Sequence, residues 1–599
     1  MIMENIKRLL PSSNVKKIAL LVFVLLLLNT LLYIGALGHD FIKDDFRLVV
    51  ENHRIRNFAS FWDSIDSKFF SFPDFHFLHY WRPMSMFSFY VDYQLWGLNP
   101  AGYHFVNILL NALAAALFFL VFYFLTGKIS YSFLIALFFS IHPAHVEAAS
   151  WISGRTDLLA AVFILSAILS FIIFLQKNSY AAYGFSAFFF VLALLSKENP
   201  VLFPVLALGL IAIIPGKQKN SLREPPAGLF YFSNFLKRAR VTLPFFLVDI
   251  LYLFVHSSIS GMQNSLANFS FKDIFVICKT AGVYTKIILT PFFPTPHFSM
   301  QYFDLHTIEF LGYFAFGLGV LALLFFNREK YKYSIYTLLF LIFILPVLDP
   351  EILPSYPKIF LRFAYIPAVF AGVFFLDTFN ILKNKGLKKL YAVALILFGC
   401  AWCFESIDFQ YYYKDSHSYY NGLVRHFPDD GSLLLPLAFI RMQDRDYTGA
   451  LTLVTHALEM NHKDRWQDVS EMGGLLKANL LILAGDAETG KRLVAKINRE
   501  TANKEQKFYS FKILSKYYEK KGDNPAGPGR RIANYRQALH YLQKAREIGE
   551  TADIFYRLTI IYGKMEMYPQ ALECLEKTKT LNPELKNYSR FKSFLLNAQ

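Results

Sequence analysis

Four cysteines in 599 residues exclude a disulfide-stapled fold. Two of them, Cys400 and Cys403, form a C-x-x-C, but it lies inside the apolar run LYAVALILFGCAWCF with no second ligand pair near it. It reads as helix packing and not as redox or zinc chemistry. Charge is scarce as well. Only 18% of the residues are Asp, Glu, Lys or Arg, against 54% hydrophobic and 18% aromatic, which excludes an ordinary soluble enzyme. No P-loop, G-x-G-x-x-G or G-x-S-x-G stands in a strand–helix context, so nucleotide hydrolysis and serine esterase chemistry lack support. The net charge of +16 does not call for nucleic acid. Much of the excess lies in short loops between apolar runs, at Lys217, Lys219, Arg223, Lys237, Arg238 and Arg240, at Arg328, Lys330 and Lys332, and at Lys383, Lys385, Lys388 and Lys389. A positive-inside bias explains that distribution.

What the chain does have is long uncharged runs, from Lys17 to about Ser406, followed by a part charged like a soluble domain. The first run, 18–38, is long enough to span a bilayer, and Arg8, Lys16 and Lys17 precede it. It reads as an uncleaved signal anchor with a cytoplasmic N-terminus. Further spans are expected near 104–126, 131–146, 157–176, 181–196, 200–215, 242–256, 309–326, 334–349, 364–382 and 388–405. Segment 272–293 carries Lys279 and Lys286 one heptad apart and reads as interfacial or re-entrant. The expectation is an all-α, polytopic membrane bundle of about eleven spans, followed by a tetratricopeptide-type α-solenoid. Residues 1–17 form a cytoplasmic tail, 18–410 the membrane domain, with 39–102 its first outer loop, and 411–599 the repeats on the outer side. The repeats show in Ala538-Leu539 and Ala571-Leu572, one repeat apart, and in Tyr562, Gly563, Tyr568 and the closing LNP.

This topology sorts the polar stretches. HDFIKDDFRLVVENHRIRNF (39–58), HYWRPMS (79–85), IHPAHVEAASWISGRTD (141–157), SKENP (196–200) and DPEILPSYPKIFLRF (349–363) all fall on one, outer, face. Ionisable groups gathered at a bilayer edge are costly unless solvated, paired or used. Asp44 and Asp45 are adjacent carboxylates that suit either a Mg or Mn ion or the removal of a proton from an attacking hydroxyl. Arg82, Arg155, Lys197 and Arg362 are candidates for gripping a phosphate. His104, His142, His145, Glu147, Asp157 and Glu198 complete a candidate pocket. His142, His145 and Glu147 lack the H-E-x-x-H spacing of a zinc protease, and Pro143 disturbs any helix there. Arg155 and Asp157 invite pairing with each other, as do Lys197 and Glu198.

FIKDDFRLVVEN, YWRPMSMFSF, GLNPAGYHFVNILLN, IHPAHVEAASWISGRTDLLA and LLSKENP occur in the order and spacing of one family. The chain resembles the transmembrane and tetratricopeptide-repeat O-mannosyltransferase-like proteins of the GT-C superfamily, strongly over 39–200 and weakly at FLRFAYIP (360–367). Asn111 stands where that family usually has a histidine, Leu361 where a glutamate precedes the arginine, and Ala368 where a serine is usual. The resemblance implies a multi-pass enzyme that moves a mannose-like sugar from a polyprenyl-phosphate carrier, with inversion, to a hydroxyl on the periplasmic or lumenal side. It implies that Asp44 or Asp45 is the catalytic carboxylate. The partners expected are the lipid-linked sugar, membrane lipid and an acceptor protein or peptide met by the repeats, with no nucleic acid. Transfer to a lipid or envelope glycan, or a non-catalytic membrane-anchored scaffold, are the rival readings.

Overall fold

The structure, a computed structural model, describes residues 12–65, 80–214, 235–260, 271–292, 295, 297–298, 306–326, 359–464, 467–501, 503–525, 528–581, 585 and 587–598. They fall into two units, the first ending at Tyr419 and the second running from Tyr420.

Helices dominate the first unit. Its elements include α1 (Ser12–Tyr33), α2 (Pro83–Trp96), α3 (Pro100–Thr126), α4 (Ile129–Ser140), α5 (Val146–Ser150), α6 (Arg155–Lys177), α7 (Tyr180–Ser196), α8 (Phe203–Ile213), α9 (Leu243–Ser260), α10 (Phe271–Leu289), α11 (Thr307–Phe326), α12 (Val369–Ile381) and α13 (Lys385–Gln410). Local chemistry sets several of their limits. Helix α3 starts where the Asn99 side chain accepts from the Ala101 N–H with proline at the first position, and it stops at Gly127 in the left-handed region. Helix α3 lies at the centre, packed against α1, α4 and α6.

Among the described residues, five helices are long and apolar enough to cross a membrane: Asn14–Gly38, Pro100–Thr126, Ile152–Lys177, Phe235–Ile259 and Lys385–Tyr413. A sixth span results if Ile129–Ser140 and Pro143–Ser150, bent by 56°, are taken as one. Tyr180–Ser196, Asn199–Ala212, Thr307–Gly319 and Val369–Ile381 are shorter apolar helices. The span expected at 334–349 and the basic groups at 217–223 and 328–332 lie outside the described residues. Cys400 and Cys403 are free thiols on α13. Among the described residues, the strand content is one small pair. His297–Phe298 pairs antiparallel with Ile359–Phe360, just before Arg362.

The bend at Pro143 is the feature that positions the site. Proline cannot donate, so helix α4 ends and a 3-10 turn, Pro143–His145, intervenes. Backbone groups freed inside an apolar bundle need partners. Ser406 Oγ donates to Ile141 O at 3.1 Å. Asn107 Nδ2, from α3, donates to Trp151 O at 2.9 Å beyond the break. A second buried polar chain ties the bundle together: Tyr365 Oη donates to Asn111 Oδ1 (2.6 Å), Asn111 Nδ2 to Asn29 Oδ1 (2.9 Å), and Asn29 Nδ2 to Ser140 Oγ (2.9 Å). Every link is satisfied, the condition under which a buried polar network specifies one packing.

In the second unit, short connections join helices into hairpins: Gly431–Gln443 with Tyr447–Asp464, Gln467–Ala484 with Ala487–Glu500, Lys504–Asp523 with Pro528–Ile548, and Ala552–Lys564 with Tyr568–Leu581. Each hairpin packs on the next, so apolar faces that one pair cannot bury are covered by its neighbour. Phe508, Ala538, Leu542, Phe555 and Leu558, from successive helices, share one such core.

Candidate active site

Contacts between distant segments draw the polar stretches of the first unit to one place. The 39–58 and 141–157 stretches meet through Asp45 and Ser153. The 141–157 stretch meets 196–200 through Asp157 and Lys197, and meets the end of 349–363 through Glu147 and Arg362. Arg82 joins Glu198, and Ser85 Oγ donates to Ser196 O at 3.0 Å.

The two adjacent aspartates differ. Asp45 is fully buried. Its Oδ2 accepts from Ile42 N–H (3.0 Å), and its Oδ1 accepts from Ser153 N–H (2.9 Å) and from the Ser153 hydroxyl. Burial pushes its carboxyl up to about 7, against those three donors, which favour the ionised form. Asp44 is partly exposed, and its carboxylate has no hydrogen-bond or ion-pair partner among the described residues.

Around them runs a set of ion pairs. Arg362 donates to Glu147 Oε1 from Nη1 (2.5 Å) and to Oε2 from its backbone N–H (3.1 Å), with Nε at 3.8 Å from Asp157 Oδ2. Lys197 pairs with Asp157 Oδ1. Arg82 forks onto Glu198 through Nε (2.9 Å) and Nη2 (2.7 Å), and His256 Nε2 lies 3.9 Å from the same carboxylate. Burial works against the charge on Arg362, but Glu147 and Asp157 hold its pKa above the ordinary value. Burial alone would raise Glu198, and Arg82 overrides it, holding that carboxyl well below the usual range. For Lys197 burial prevails and lowers its pKa despite Asp157.

Arg155 stands apart from this set. Its side chain is wholly buried, and its N–H groups are taken up by Asp92 Oδ2 (2.7 Å), Ser88 Oγ (2.6 Å), Tyr103 O (2.8 Å) and Asn107 Oδ1. Arg155 and Asp157 therefore pair with Asp92 and Lys197, and not with each other; Lys197 and Glu198 likewise pair elsewhere. His142 is engaged at both ring nitrogens: Nδ1 accepts from Ala144 N–H (3.1 Å) and Nε2 donates to Ile288 O (3.0 Å). His145 Nε2 donates to Tyr365 O at 3.1 Å. His104 is buried in α3 and meets the His39 ring edge-on at 5.7 Å. Among the described residues no group of three or more His, Cys, Asp or Glu is placed to hold a metal ion.

Two residues that build this site, Ser153 and Lys43, carry no strong signal in the sequence. Ser153 is an ordinary polar residue whose partner, Asp45, lies 108 positions away. Lys43 sits over the Trp151 ring at 4.2 Å and donates to Tyr419 Oη at 3.0 Å. Only its place beside Asp44 hinted at it.

Residues 83–235 match the family model of dolichyl-phosphate-mannose-protein mannosyltransferase. That range holds Arg155, Asp157, Lys197 and Glu198, while Asp44, Asp45, Arg82 and Arg362 lie outside it. The chain is similar to Protein O-mannosyl-transferase Tmtc1 of Drosophila melanogaster, 30% identical over 193 residues, covering 32% of this chain and 22% of that protein. It is 31% identical over 163 residues to Protein O-mannosyl-transferase TMTC2 of Homo sapiens (26% and 19% covered) and 29% identical over 216 residues to TMTC4 of Homo sapiens (30% and 28%). The similarity thus spans 19–28% of these curated relatives' length.

Proposed function

We propose, from the premise that this chain is a relative of the transmembrane and tetratricopeptide-repeat O-mannosyltransferase-like proteins, that it is a membrane glycosyltransferase. In this reading it moves a mannose-like sugar from a polyprenyl-phosphate carrier to a protein hydroxyl, with inversion. Asp44 is the observation that carries it: a partly exposed carboxylate with no hydrogen-bond or ion-pair partner among the described residues, within electrostatic reach of Arg362 in a wall of paired charges. A general base must be free to take a proton, and Asp45, held by three donors, is not. Asp44 accepts the proton of the acceptor hydroxyl while that oxygen attacks the anomeric carbon. The bond from that carbon to the carrier's phosphate oxygen breaks, and the polyprenyl phosphate leaves with the electron pair.

Arg82, Lys197 and Arg362 are the cations we assign to the wall on which the carrier phosphate sits, where charge grows in the transition state. We assign Arg155 to the scaffold instead, because Asp92, Ser88, Asn107 and Tyr103 enclose it. His142, His145, Glu147, Asp157 and Glu198 then shape and charge the pocket wall. The eleven-span topology, with the site and the repeats on the outer side, and the domain limits 18–410 and 411–599 belong to the same proposal. Paired helices in the second unit favour a protein acceptor over a lipid or glycan, because such a stack offers a surface and no chemistry.

Transfer from a radiolabelled polyprenyl-phosphate mannose to a serine- and threonine-containing polypeptide, by the purified full chain, tests the reading. The wild type is expected to transfer and Asp44→Asn to lose the activity. Full activity in Asp44→Asn would remove the carboxylate mechanism, and transfer only to lipid would move the acceptor class.

A further inference from the structure

The cations so far assigned to the site each hold a carboxylate: Arg82 holds Glu198, Lys197 holds Asp157 and Arg362 holds Glu147. Lys43 does not. Its ammonium lies 4.2 Å over the Trp151 ring and 4.6 Å over the Tyr419 ring, and its one hydrogen bond is to Tyr419 Oη at 3.0 Å. Among the described residues no carboxylate pairs with it. An ammonium has three donors, so two are left without a hydrogen bond, and contact with the rings is a weaker hold on the charge than a charge-assisted bond.

The backbone adds a second observation. Lys43 has φ 51°, a conformation uncommon outside glycine, and one that concentrates at functional sites when the surroundings over-determine it. Asp45 supplies that determination. Its backbone N–H donates to Ile42 O (3.0 Å) while its carboxylate accepts from Ile42 N–H (3.0 Å), closing the turn over Lys43 and Asp44 from both sides. Two consecutive residues thus present a cation and a carboxylate that have no ion-pair partner among the described residues.

We infer that Lys43 is a ligand of a phosphate ester at this site. On the proposed function, that ester is the carrier's phosphate, and the inference rests on that reading. As the anomeric C–O bond breaks, the phosphodiester becomes a monoester and gains a negative charge. Lys43 turns a donor to that oxygen with no carboxylate balancing its charge, whereas the charges of Arg82, Lys197 and Arg362 are already met by Glu198, Asp157 and Glu147.

Equilibrium binding to the purified full chain in detergent tests this with three ligands: a short-chain polyprenyl phosphate, the matching polyprenol and inorganic phosphate. The wild type is expected to bind the polyprenyl phosphate at least about tenfold more tightly than the polyprenol, Lys43→Gln to lose most of that difference, and Lys43→Arg to restore it. Equal discrimination in wild type and Lys43→Gln would overturn the assignment to Lys43 and leave the donor reading intact. No discrimination by the wild type would overturn both. Inorganic phosphate binding as well as the polyprenyl phosphate would assign Lys43 to a free anion and sink the carrier.

Amine acylation of the wild type, read by mass spectrometry of the Lys43 peptide, keeps the question open to refutation if Lys43→Gln does not fold. Polyprenyl phosphate is expected to slow labelling several-fold, with polyprenol without effect. Equal labelling with and without the phosphate would overturn the inference.

Discussion

The carboxylate of Asp45 accepts from the backbone N–H and the hydroxyl of Ser153, 108 residues further along the chain. This contact fastens the loop after the first span to the turn beyond the broken helix. It also fixes the neighbouring Asp44, since consecutive backbone units move together. On the proposed mechanism Asp44 is the base, and a base held in place before substrate arrives needs no reorganisation during reaction.

The two aspartates should therefore separate cleanly in mutagenesis. In Asp45→Asn the amide nitrogen faces a donor, Ile42 N–H or Ser153 N–H, and a buried bond is lost at a cost of about 1–3 kcal/mol. Thermal unfolding in detergent should show a lower Tm for that variant. Asp44→Asn, partly exposed and without a hydrogen-bond or ion-pair partner among the described residues, should keep the wild-type stability within about 0.5 kcal/mol. Its transfer activity should fall by about 10²-fold or more.

Stability should also depend on pH through Asp45. Burial raises its carboxyl from 3.8 to about 7, so the folded state binds the proton more tightly than the unfolded chain does. Stability from this group is then complete below pH 3.8 and is lost as pH rises through about 7. A Tm series across this window should decline in the wild type and flatten in Asp45→Asn. Parallel slopes would show that Asp45 titrates at an ordinary value.

The sequence made much of this site legible, and geometry explains where it did not. The apolar runs, the break at Pro143 and the polar stretches between runs were all readable, because length and helix-breaking chemistry are local. Pairing was not. Arg155 and Asp157 lie two positions apart, and residues so spaced on a helix do not face each other. Asp92, 63 residues earlier, takes Arg155. Lys197 and Glu198 lie at the end of α7, where Lys197 is already extended (φ −161°, ψ 160°), and they turn to different partners. Asn107 stands out in the sequence as a polar residue beside a span and as part of a family string, with no partner indicated. Its work, donating to the carbonyl of Trp151, depends on a crossing of helices that no local pattern contains.

Arg155 and Asp92 offer a test of the scaffold assignment. Their side chains are 0% and 3% exposed, and breaking such a pair leaves a buried charge, at a cost of about 3–5 kcal/mol. Arg155→Met alone should lower Tm sharply and reduce folded yield. Combining it with Asp92→Leu should recover part of the loss, since two apolar groups leave no orphan charge. A phosphate ligand would behave differently: Arg155→Met would keep its Tm and lose donor affinity.

Gly154 tests whether the turn that carries Ser153 must stay where it is. A Cβ there would meet Ala148 O at 2.6 Å and Ala148 Cα at 2.7 Å, both backbone atoms of the short helix α5. Backbone cannot swing aside as a side-chain tip can, so the turn itself must move. That movement draws Ser153 away from Asp45 and loosens the Ile42–Asp45 turn. Gly154→Ala should lose about 1–3 kcal/mol of stability, and Gly154→Val more. Activity in Gly154→Ala should drop beyond what the folded fraction explains, because Asp44 loses its fixed orientation. Activity that merely tracks the folded fraction would confine the role of this turn to stability.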